Sequence, residues 1–133
     1  MESTKPEWYS SVSIRICHPN LDPSELSMLL NATPEIAQKP GESRVPYGDC
    51  RSAGYWCLQH RIDAPDRPDI AISWAEEFIE IRKPAFRQFT TEKYYVDVYV
   101  AVFSNVLALG FNMPPTPTIT ELGIHLGFEF FSA

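Results

Sequence analysis

The chain has 133 residues, 44% of them hydrophobic, and a formal net charge of −6. That length and apolar content predict a single α+β domain over residues 1–133 with a genuine core. The acidic balance is repelled by nucleic-acid phosphates, and the longest apolar stretch, Val98 to Phe111, falls short of the ~20 residues that span a bilayer, so neither nucleic acid nor membrane is an expected partner.

The first ten residues, MESTKPEWYS, show no basic region followed by an apolar run. Cys17, Cys50 and Cys57 are odd in number and lack a framework spacing. Together these predict a reduced, cytoplasmic protein.

Ser11 to Cys17 alternates, with Val12, Ile14 and Ile16 on one face and Ser11, Ser13, Arg15 and Cys17 on the other. This predicts a half-buried strand. LDPSEL follows: Asp22 caps a helix, Pro23 suits its first position and Glu25 completes a capping box. Leu26, Leu29 and Leu30 then face the core, and Thr33-Pro34 ends the helix. Residues 35–53, with QKPGES and VPYGDC, read as a long loop of the kind that is often functional.

Gly54 to Ile62 is a second one-sided strand, with Trp56, Leu58, His60 and Ile62 in one phase and Tyr55, Cys57, Gln59 and Arg61 in the other. DAPDRPD forms a rigid acidic turn. Ser73 to Glu76 reads as a capping box, after which Trp74, Phe78, Ile81, Ala85 and Phe89 recur at helical spacing. Pro84 should kink or split that helix. Tyr94 to Phe103 is apolar in both phases except at Asp97, which predicts an interior strand. MPPTPT is a stiff loop, residues 118–126 a short helix, and residues 127–131 a last strand with Phe128 and Phe130 on one face.

The expected fold is α+β: two strand–helix–strand units forming one mainly antiparallel sheet with helices on one face, on the ferredoxin-like plan. The alternating strand at Val12–Cys17, the DP-capped helix ending at Thr33-Pro34, the KPG of Lys39–Gly41, the Gly-x-Trp of Gly54–Trp56 and the amphipathic helix from Ser73 also resemble the bacterial domain-of-unknown-function 4279 family. The resemblance covers most of the chain. It implies a small cytosolic bacterial protein and carries no catalytic residues over.

No cofactor and no metal is expected. Cys57 and His60 stand three apart on a strand and so point to opposite faces, away from a tetrahedral site. Asp97 and Glu129 read as a hydrogen-bonded or solvated pair rather than a catalytic one. No spacing marks Cys50 or Cys57 as a nucleophile beside a histidine, and the six glycines form no phosphate loop. Two surfaces remain. The helix-free sheet face should gather Arg15, Tyr55, Gln59, Arg61, Asp97, Tyr99 and Glu129, aromatics among charges as in interaction surfaces. The acidic segment, with Asp66, Asp69, Glu76 and Glu80, suits capture of a basic partner. The expected function is a non-enzymatic protein-interaction domain of the immunity type, which binds and blocks a basic toxin domain. The alternative is a small-ligand or enzymatic domain with a pocket near the 39–53 loop.

Overall fold

The computed structural model describes residues 8–42, 52–64, 67–104 and 111–131. Among these residues the elements in chain order are β1 (Tyr9–His18), α1 (Pro23–Leu30), β2 (Ile36–Gln38), β3 (Gly54–Ile62), α2 (Pro68–Ile81), α3 (Lys83–Thr91), β4 (Tyr95–Phe103), α4 (Pro117–Glu121) and β5 (His125–Phe131). The strands make one sheet in the order β2-β3-β1-β4-β5. The β2–β3, β3–β1 and β1–β4 pairs are antiparallel, whereas β4 and β5 run parallel. The sheet is thus mixed, and mainly antiparallel as expected.

The period-two pattern sets the layers. Val12, Ile14 and Ile16 of β1, Trp56 of β3, and Val96, Val98, Val100 and Val102 of β4 form one buried cluster with Leu26 and Leu30, Ala71, Ile72, Ala75, Phe78, Ile79, Phe86, Phe89 and Ile119 of the four helices. The four described helices therefore pack on one sheet face. The first strand is not half-buried as expected. It is the middle strand, so Ser11 and Ser13 on its other face are covered by neighbours and are also buried.

Asp22 caps α1 by accepting from the Ser24 amide at 2.9 Å, and Pro23 lies in its first turn. The helix ends at Asn31, in the left-handed conformation (φ 50°), before Thr33-Pro34 is reached. Leu26 and Leu30 point inward as expected. Leu29, at 56% exposure, does not, because the buried stripe of so short a helix admits one residue per turn.

β2 lies within the stretch read as loop. Its three residues are too few to carry an alternation. The rest of that loop, 43–51, lies outside the described residues, but its ends are joined by the Gly41 amide donating to the Ser52 carbonyl at 2.8 Å. At the start of β3, a Cβ on Gly54 would stand 2.0 Å from the Leu21 carbonyl oxygen. Only glycine lets the two backbones approach that closely.

α2 starts at Pro68, well before the expected box at Ser73, since proline suits a first turn and Ala71 and Ile72 extend the buried stripe upstream. Pro84 does split the helix, into α2 and α3 joined at Arg82. Arg82 holds the junction. Its Nε donates to the Leu30 carbonyl at 2.7 Å, its Nη1 to the Phe78 carbonyl at 3.2 Å, and its guanidinium lies 3.7 Å from the Phe78 ring centroid. Ile81, read into the apolar stripe, is 68% exposed at this break.

Trp56 is fully buried and its Nε1 donates to the Ser27 hydroxyl at 3.0 Å, which ties β3 to α1. Trp56→Ala is expected to cost ~3–5 kcal/mol in urea unfolding. A near-neutral midpoint would refute the burial of β3 on this face.

Candidate functional site

The helix-free face is built from cross-strand rows. Strand register puts Arg61, Ser11, Ala101 and Glu129 in one row, Gln59, Ser13, Tyr99 and Gly127 in the next, and Cys57, Arg15, Asp97 and His125 in the third. At the end of the sheet, Tyr9, Phe103 and Phe131 form a further row across β1, β4 and β5.

The third row holds an ion pair. Arg15 Nε donates to Asp97 Oδ1 at 2.7 Å and Nη2 donates to Oδ2, a two-pronged fork. The Tyr95 hydroxyl donates to Asp97 Oδ2 at 2.9 Å. The fork holds the Arg15 guanidinium charged well above its ordinary range, against the opposing effect of burial. Tyr95 is pushed up, first by loss of hydration and then by the Asp97 carboxylate that accepts its hydrogen bond. Arg15 also lies 4.5 Å from the Tyr99 ring centroid, and the Tyr99 hydroxyl donates to Glu129 Oε1 at 2.8 Å.

The end row is a stack. Arg61 lies 3.7 Å from the Tyr9 ring centroid, Tyr9 stacks on Phe103 at 4.6 Å, and Phe103 on Phe131 at 4.8 Å. Arg61 Nε also donates to Asp63 at 2.6 Å. Between this stack and Tyr99 the small side chains of Ser11 and Ala101 leave a depression, a cleft of about 330 Å³ that Glu35 and Gln59 close on the β3 side. Glu35 is fixed there by accepting from the Gln59 amide at 2.7 Å.

Of the residues expected on this face, Arg15, Gln59, Arg61, Asp97, Tyr99 and Glu129 are brought together. Tyr55 is on the same face but buried, in a small cluster with Cys17, Ala53 and Cys57, so it is not an exposed anchor. Tyr9, Glu35, Phe103 and Phe131 were missed. Phe103 shares the Tyr99 phase, which sequence could have shown, but Phe131 reaches it only through the parallel pairing of β5.

The acidic segment is not one surface. Glu76 is buried and accepts from the amides of Thr118 and Ile119 at 3.0–3.1 Å, tying α2 to the start of α4. It is a structural anchor rather than an exposed contact. Asp69 is forked by Arg67, which holds its carboxyl below the ordinary range, and Asp63 pairs with Arg61. Glu77 and Glu80 are exposed, and Asp66 lies outside the described residues.

Cys57 lies on the helix-free face while His60 stacks on Trp74 at 4.5 Å on the helix side. Among the described residues no group of three His, Cys, Asp or Glu side chains is placed to hold a metal ion. Cys57 is a free buried thiol, pushed up by burial. Cys17 is disulfide-bonded, so the all-reduced reading of the cysteines does not hold there, and the case for a cytoplasmic location loses that support.

The sheet, its helical layer and its charge-paired second face define a small α+β domain. Residues 6–128 match the family described as Domain of unknown function (DUF4279), and the chain belongs to that family. No curated protein and no solved structure matches it. No helix among the described residues is long and apolar enough to cross a membrane.

Asp97→Asn should leave the Arg15 charge unanswered inside the sheet. The expected loss is ~2–3 kcal/mol in chemical denaturation, below the range for a fully buried pair because Arg15 keeps some solvent. An Arg15→Leu/Asp97→Leu double variant should be less destabilised than Asp97→Asn. Equal or additive losses would show that the fork carries little. Separately, Cys57 should react with a disulfide reagent only on unfolding, since a raised pKa leaves little thiolate at neutral pH. Rapid labelling of the native protein would contradict this.

Proposed function

We propose that this chain is a non-catalytic protein-interaction domain of the immunity type, a small acidic bacterial protein that binds a basic toxin domain through the helix-free sheet face and blocks it. One observation carries the reading: this face combines a concave, aromatic-walled cleft with arginines that are each already matched by an aspartate. Covering Arg15 and Asp97 with a partner strands no unpaired charge, which lowers the desolvation cost of docking. The same pairing speaks against chemistry, because a general base has to reach a substrate proton and Asp97 is held by Arg15 and Tyr95.

Two further features support the reading. β1 lies between β3 and β4, antiparallel to both, with β2 outside β3. We infer from this that the first four strands follow the ferredoxin-like plan and that β5 extends it, an arrangement in which the described helices all lie on one sheet face and none on the other. The net charge of −6 adds long-range attraction for a basic surface even though Asp69 and Asp63 are locally paired.

The test is the binding kinetics of a partner isolated from the native host. Association should slow as salt rises and in a Glu77→Lys/Glu80→Lys variant, because screening acts beyond ~8–10 Å. Tyr99→Ala should instead raise the dissociation rate. Kinetics indifferent to salt, to the charge reversals and to Tyr99→Ala would eliminate the proposal. Recovery of no protein partner, with a small molecule raising the melting point, would favour a ligand-binding domain.

A further inference from the structure

The cleft on the helix-free face has a charge and shape that specify what enters it. The two arginines described on this face are each matched by an aspartate, Arg61 of the cleft by Asp63 and Arg15 beside it by Asp97. Glu35 and Glu129 are then the surplus charge, both negative. No Lys or Arg occurs after Lys93, so neither β4 nor β5 brings a lysine or arginine to this face, while they bring the carboxylates of Asp97 and Glu129. The floor is narrow and uncharged at Ser11 and Ala101, and the walls are the rings of Tyr99 and Phe103. The two internal arginines already show how the surface seats a guanidinium, with Arg15 against Tyr99 and Arg61 against Tyr9.

We infer that this cleft is the seat for an arginine side chain of the protein partner, its aliphatic stem lying over Ala101 between the aromatic walls and its guanidinium directed to Glu35. The inference rests on the interaction reading and names the chemistry of the anchor. A planar cation matches both the carboxylate and the rings, which a lysine ammonium matches less well. The stem covers the apolar floor, and a cleft of about 330 Å³ has room for the whole side chain. An anionic occupant would meet Glu35 and the nearby Glu129, and Arg61 is already engaged by Asp63 and the Tyr9 ring.

The experiment is an amide-resolved NMR titration of the intact chain with three probes: N-acetylarginine amide, N-acetylnorleucine amide and N-acetylglutamate amide. The arginine probe is expected to give saturable shifts at Gln59, Arg61 and Ala101, and to bind more tightly than the other two. Glu35→Gln keeps an acceptor for the Gln59 amide but removes the charge, so it should weaken the arginine probe roughly fivefold. Ala101→Leu should fill the cleft and abolish the shifts while the remaining spectrum stays native. Equal binding of the norleucine probe, tighter binding of the glutamate probe, or no saturable shift from the arginine probe in the folded protein would each overturn the inference. A partner that binds Ala101→Leu with unchanged kinetics would also overturn it, yet would leave the interaction reading standing.

Discussion

Arg15 stands on the central strand, on the face that none of the described helices covers, and its charge has to be answered within the sheet. Asp97 answers it from directly across the β1–β4 pair. A slip of that pair by one residue would set Arg15 beside a valine and turn Val96 and Val98 out of the helical core. The fork and the valine phase therefore enforce the same register from opposite faces. A buried pair of this kind is weak evidence for stability but good evidence for a preferred alignment, because a misaligned pair leaves both charges stranded.

The helical layer depends on that register. Once the valines of β4 and the isoleucines of β1 point one way, the helices need only lay their apolar stripes across them. What keeps the layer together is polar and local. Arg82 binds the α2–α3 junction to the last carbonyl of α1, and Glu76 binds α2 to the first amides of α4. Both satisfy helix-end groups that would otherwise lack partners. The helices are thus tied to one another on a single side, and the second face is left to the cross-strand rows.

The elements that sequence revealed are those whose information is local. The alternation at Ser11–Cys17, the Asp22-Pro23 cap and the break at Pro84 each sit within one element, and each is found where its pattern placed it. β2 was illegible because three residues show no period. The centrality of β1 was illegible because Ser11 and Ser13 look solvated until strands are placed on both sides. Glu76 reads as a surface acid in any helical projection, and only the position of α4 turns it into an anchor. Tyr55 and Tyr99 are the same residue type in the same phase, yet one is buried beside Cys57 and the other half-buried beside Arg15. Phase assigns a face, and neighbours decide exposure.

The face that carries the proposed function has no linear motif for the same reason. Its cleft takes Tyr9 from β1, Glu35 from the approach to β2, Arg61 from β3, Phe103 from β4 and Phe131 from β5, so it comes into being only when several registers are set together. Catalytic loops and metal-ligand runs are readable because spacing along the chain carries their geometry. A row of side chains across a sheet has its geometry in the pairing instead. The parallel addition of β5 shows how much turns on this: it extends the Tyr9–Phe103 stack to Phe131 and brings Glu129 to the Tyr99 hydroxyl. An antiparallel β5 would reverse the order of its side chains along β4, separating Phe131 from the stack, and the aromatic wall and the acidic rim of the cleft would no longer lie side by side.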